Sequence, residues 1–201
     1  MEEESSFDRK ASIEDTEYLI TGKSNLTTTH QVHYGSGKGL LIFRIIAALW
    51  FIDEWILIAT CIDWKVSEGK QLCALTQWGM FTTCCYFIFV VIDSTCKLKL
   101  EKTCRIFNMM IFSVEFLITI FFWTALFPLV IINWDNLTSF EHYGMFSWHS
   151  VPFMSLLIET SWNKHLFEKK HWWVPFVFVL IYSIPNCIWA YTHEHPIYPV
   201  V

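Results

Sequence analysis

The sequence predicts an all-α fold, a polytopic integral membrane bundle of about five transmembrane helices, on three observations. Hydrophobic residues make up 54% of the 201 residues and charged residues only 16%, against roughly 25% charged in an average soluble domain. Eighteen Phe and eleven Trp are more than a soluble core of this size hides, whereas lipid-facing helices and their interfacial belts take them readily. Phe87–Ile92 (FIFVVI), Ile120–Trp123 (IFFW) and Leu129–Ile132 (LVII) are unbroken apolar runs. Backbone in lipid forms either helices or a closed barrel, and barrel strands would alternate apolar with polar residues.

The first element is polar. Residues 1–39 hold most of the acidic excess, so the formal charge of -5 belongs largely to a tail ahead of a single transmembrane domain, 40–201. A basic footprint is absent, which excludes nucleic acid as an expected partner. The opening Met1-Glu2-Glu3-Glu4 resembles neither a secretory signal nor a transit peptide, so targeting is expected from the first membrane helix.

Spans of about 20 apolar residues suffice to cross the hydrocarbon. They are expected near 40–62, 72–94, 107–132, 144–162 and 172–191. Lys and Arg gather on the cytoplasmic or matrix side of such bundles. Arg9, Lys10, Lys23 and Lys38 of the tail share one side with Lys97, Lys99, Lys102 and Arg105 of the second loop and Lys164, Lys169 and Lys170 of the fourth. The other side holds only Lys65 and Lys70. The N-terminus is therefore expected on the cytoplasmic or matrix side and the C-terminus opposite. The endoplasmic reticulum, the plasma membrane and the mitochondrial inner membrane all remain open. The Asn25 and Asn136 sequons fall on opposite sides, and no glycan is assigned to either. The seven cysteines form no CxxC pair and read as small apolar residues.

Ionisable groups inside a bilayer are costly and mark function or paired structural roles. The candidates are Arg44, Asp53, Glu54, Asp93, Glu115, His149 and Glu159. Arg44 and Asp93, near helix ends on the basic side, are expected to snorkel or to pair with each other. Asp53 and Glu54 point about 100° apart on a helix, so at most one fully faces a shared cavity. Glu115 suits either a protonated carboxyl bonded to a neighbouring helix or a catalytic or transport role. His149 and Glu159 are separated by roughly 15 Å of helix and cannot form an acid–base pair. Thr76 and His149, by contrast, lie at similar depth on the outer side, the minimum geometry for a hydroxyl nucleophile and its base. Plain structural roles, a helix-start hydroxyl and a hydrogen-bonded histidine, stand beside that reading. His193 and His195 form an H-x-H pair in the tail, read as solvated and not as a metal site. No metal or cofactor is expected, and a second histidine suited to haem is not evident.

With these residues in view, the chain resembles the androgen-induced-gene family of membrane threonine hydrolases, which act on fatty-acid esters of hydroxy fatty acids. Rolling stone proteins are more distant relatives. The resemblance spans about 40–199. It rests on His149-Ser150 with Pro152-Phe153 and Leu157-Ile158-Glu159, on Leu75-Thr76 at a helix start, and on Tyr198-Pro199 after an aromatic helix. It implies a catalytic Thr76 and His149, with membrane lipids as partners. Pro152 stands earlier after the histidine than the family pattern suggests, and the acidic tail has no counterpart there. Two other classes compete. One is a non-catalytic subunit of a multi-subunit membrane complex, such as a respiratory complex, docked through the tail. The other is a small transporter, although Pro128, Pro152, Pro175 and Pro185 do not occupy matching positions of two halves.

Overall fold

The structure is a computed structural model and describes residues 37–61, 73–163 and 169–193. Five long helices make up almost all of it. They are α1 (Lys38–Cys61), α2 (Leu75–Cys96), α3 (Glu101–Val130), α4 (Ser139–Asn163) and α5 (Trp173–Thr192). A 3-10 segment, Ile131–Asn136, leads from α3 towards α4, and there is no strand among the described residues. The expected spans match these helices within three residues at every end except two: α3 and α4 begin at Glu101 and Ser139, ahead of the expected 107 and 144. Residues 1–36 of the tail, Lys65, Lys70, Lys164, His195 and Tyr198-Pro199 lie outside the described residues, as does the proposed docking of the tail, whose last residues, from Lys38, open α1.

Three spans are long and apolar enough to cross a membrane: α2, α3 and Lys169–Thr192, which contains α5. They make the chain a membrane protein. With 24 and 25 residues, α1 and α4 are about 36 and 38 Å long, enough to match the thickness of the hydrocarbon. Each carries buried ionisable groups, Arg44 and Glu54 on α1 and Glu159 on α4, as α2 and α3 do in Asp93 and Glu115.

The distribution of side chains is the reverse of a soluble bundle. Ile42, Ile46, Leu49 and Ile56 of α1 face outward, while the interior holds Arg44, Glu54, Thr83, Asn108, Glu115 and Glu159. Water would penalise that arrangement, and lipid rewards it, because intramembrane polar groups turn inward and satisfy one another. Between the polar groups lies an apolar core of Phe51, Ile58, Met80, Phe87, Val90, Ile111 and Leu156, in which Phe51 and Phe87 stack at 5.7 Å.

Antiparallel alternation follows from which residues meet. Arg44 near the start of α1 bonds Ser94 near the end of α2 and Glu159 near the end of α4. At the other end, Glu54 of α1 meets Tyr143 and Trp148 of α4. α2 packs against α1, α3 and α4, and α3 also against α5. All five helices belong to one compact unit, His33–Val201.

One expected pairing is corrected here. Arg44 does not pair with Asp93. Its guanidinium takes Glu159 through Nε at 3.0 Å and Nη2 at 2.7 Å, and Asn163 at 3.1 Å. Asp93 instead accepts the Leu100 amide at 3.0 Å, closing the turn in which Lys97 and Lys99 adopt positive φ. A carboxylate across the bundle offers Arg44 a two-pronged match to its planar fork, whereas Asp93 serves orphan backbone at a helix end. Asp53 and Glu54 divide as their 100° separation requires: Asp53 is exposed and Glu54 fully buried.

Candidate active site

Thr76 occupies the first turn of α2. There the amides of Gln77 and Trp78 turn to the Ala74 carbonyl. The hydroxyl of Thr76 therefore sits at the positive end of a 22-residue helix, where negative charge is stabilised. The residue is buried, 9% exposed.

His149 comes from the middle of α4. That helix starts with a capping box: Glu141 accepts from the amide and hydroxyl of Thr138, both at 2.8 Å, and the Glu141 amide donates back to Thr138 Oγ1 at 3.2 Å. Three residues beyond His149, Pro152 removes a backbone donor and crowds the preceding turn. Thr119 of α3 donates across the helix interface to the His149 carbonyl at 2.8 Å, tying α3 to α4 at the level of the histidine.

The two candidate residues meet. Thr76 Oγ1 lies 3.5 Å from His149 Nδ1. For the hydroxyl to donate, Nδ1 must be unprotonated and the ring proton must sit on Nε2. The ring is held by stacking. Phe122 lies parallel to it, with centroids 3.6 Å apart and planes within 2°. Phe122 opens a π-helical turn, Phe122–Leu126, in α3. Such one-turn widenings gather at functional sites, and this one also sends Trp123 to donate Nε1–H to Ser150 Oγ at 3.1 Å. Ser150 thus accepts through its oxygen and keeps its own O–H for donation.

The acids lie elsewhere. Glu54 accepts from Tyr143 and, at 2.7 Å, from Trp148 Nε1, so it neighbours His149 in the fold but bonds other donors. Glu115 accepts from Thr83 at 3.1 Å, the interhelical bond that was one of its two expected roles. Glu159 is enclosed by Arg44, Tyr86 and Asn163. The arrangement around Thr76 is a hydroxyl–imidazole dyad oriented by an aromatic ring and not by a carboxylate. Of these parts, Phe122, Trp123 and Thr119 were not singled out from the sequence. The run Ile120–Trp123 served there only as an unbroken apolar stretch that favours helix over barrel strand.

No family model, curated protein or solved structure matches this chain.

Proposed function

We propose that the chain is a membrane-embedded lipid ester hydrolase with Thr76 as nucleophile and His149 as general base, acting on the class of fatty-acid esters of hydroxy fatty acids. The observation that carries this reading is the 3.5 Å approach of Thr76 Oγ1 to His149 Nδ1 across two helices 73 positions apart. Residues so distant in sequence meet here at a helix start where an alkoxide is favoured. The resemblance to the androgen-induced-gene family points to the same pair.

Nδ1 of His149 takes the Thr76 proton as Oγ1 bonds to the ester carbonyl carbon, and the carbonyl π electrons move to its oxygen. Collapse of that tetrahedral species breaks the ester C–O bond. The alcohol leaves with the proton from His149, and an acyl-threonine remains. Water, deprotonated by the same nitrogen, then cleaves the acyl bond, giving the fatty acid and the free Thr76 hydroxyl. The amino end of α2 and the Ser150 hydroxyl supply positive potential for the oxyanion. Gln77 and Trp78, the other donors near Thr76, line a separate cleft. In this reading the N-terminus faces the cytoplasm, or the matrix if the bilayer is mitochondrial.

A fluorophosphonate probe on the purified full chain tests the assignment. Wild type and Thr76→Ser label, Thr76→Ala does not, and His149→Ala labels about 10²–10⁴-fold more slowly. Undiminished labelling of Thr76→Ala would refute the nucleophile.

A further inference from the structure

Beside the dyad, α1 and α2 border a cleft of about 750 Å3 that opens to the outer surface of the bundle, lined among others by Ile52, Trp55 and Ile56 of α1 and Gln77, Phe81 and Ile88 of α2. That volume falls within the ~300–1,000 Å3 of small-molecule sites. Neither Thr76 nor His149 lines it. Its walls are hydrocarbon and aromatic surface, with two telling exceptions. Gln77 is 97% buried, being 3% exposed, and its Oε1 has no hydrogen-bond partner; the buried Nε1 of Trp55 has none either.

One of these atoms is an acceptor that needs a donor, and the other is a donor that needs an acceptor. An ester, an ether or an ionised carboxylate accepts only, and would leave Gln77 Oε1 unmet. A hydroxyl does both. The apolar remainder of the cleft calls for a hydrocarbon chain behind that hydroxyl. We propose that the α1–α2 cleft binds a single-chain lipid alcohol whose O–H donates to Gln77 Oε1 and whose oxygen accepts from Trp55 Nε1.

The test uses the full chain in phosphatidylcholine nanodiscs and three diazirine probes of equal length: a long-chain alcohol, its methyl ether and the bare hydrocarbon. The wild type is expected to crosslink the alcohol within 52–56 and 77–88 at about fivefold lower concentration than the ether, the effect of one added hydrogen bond. Gln77→Leu removes that preference while ether labelling persists, which also reports that the variant is folded. Trp55→Phe weakens alcohol and ether alike and leaves the hydrocarbon unchanged. Equal labelling of the wild type by alcohol and ether, meaning annular lipid only, overturns the proposal, as does a preference that survives Gln77→Leu. Thr76→Ala is expected to keep the preference. The cleft and the hydrolase reading can therefore fail separately, and loss of the preference in Thr76→Ala would sink the cleft as a site of its own.

Discussion

At the residue scale, two contacts with no polar chemistry of their own decide whether the polar groups can act. The first is Phe122 against His149. With the rings 3.6 Å apart and parallel, the imidazole has little room to turn about its Cβ–Cγ bond, so Nδ1 stays aimed at Thr76. Aromatic pairs contribute ~0.5–1.5 kcal/mol beyond the area they bury. Phe122→Leu is therefore expected to slow probe labelling of Thr76 about 2- to 10-fold with the fold retained, while Phe122→Tyr, which keeps the ring, labels like the wild type. Identical rates for Leu and wild type would remove Phe122 from its positioning role. The second contact is Gly79. A methyl there would stand 2.6 Å from Glu115 Oε1 and 2.7 Å from Ile118 Cδ1, so both side-chain ends would have to give way, the carboxyl at the expense of its bond from Thr83. Overpacking of this kind costs ~1–3 kcal/mol. Gly79→Ala should lower the thermal midpoint, and Glu115→Asp in the same chain, one methylene shorter, should recover part of the loss. An unshifted midpoint for Gly79→Ala would mean that the carboxyl simply moves aside.

At the element scale, α1 is tied to α4 at both ends, by Glu54 to Tyr143 and Trp148 at one and by Arg44 to Glu159 at the other. The second tie is almost sealed from the surroundings, with side-chain exposures of 2% and 0%. Removing one member of a buried pair strands the other charge and costs ~3–5 kcal/mol, whereas replacing both with apolar groups of similar volume is often neutral. Arg44→Met and Glu159→Leu should each lower the yield of folded protein sharply in detergent, and the double variant should restore most of it. Additive losses would show that the pair contributes nothing as a pair. This network also marks how far the sequence was legible. Arg44 and Glu159 stood out as ionisable residues in apolar runs, because burial of charge is rare enough to notice. Their partnership was hidden because it joins positions 115 apart, and Asp93 offered a nearer charge at the same bundle end. The π-helical turn was hidden for a related reason: a one-residue widening of α3 leaves no mark on hydropathy and is set by what Phe122 and Trp123 meet on α4.

At the scale of the whole molecule, the pairing of Thr76 with His149 and the number of crossings are one statement. Leu75, next to Thr76, begins α2, His149 lies ten residues into α4, and helices alternate direction; the two share a depth because α2 and α3 run out and back over comparable lengths. The helix lengths and apolar runs made that depth readable from sequence, while lateral contact needed the α2–α4 packing. The same alternation carries the Asn186 amide of α5 to the Cys73 carbonyl at 3.3 Å, so α5 ends at the bundle end where α2 begins. Cys61, at the end of α1, and His193, just past α5, therefore emerge on one face, and Cys96 and Lys97, at the end of α2, on the other. With native cysteines replaced by Ser except one, Cys61 and an engineered cysteine at His193 should react with an impermeant maleimide from the same side of sealed vesicles. Cys96 should react only after permeabilisation, or the reverse if the vesicles are inverted. If Cys61 and Cys96 react from the same side, α2 does not cross, and the alternating five-span topology falls with it.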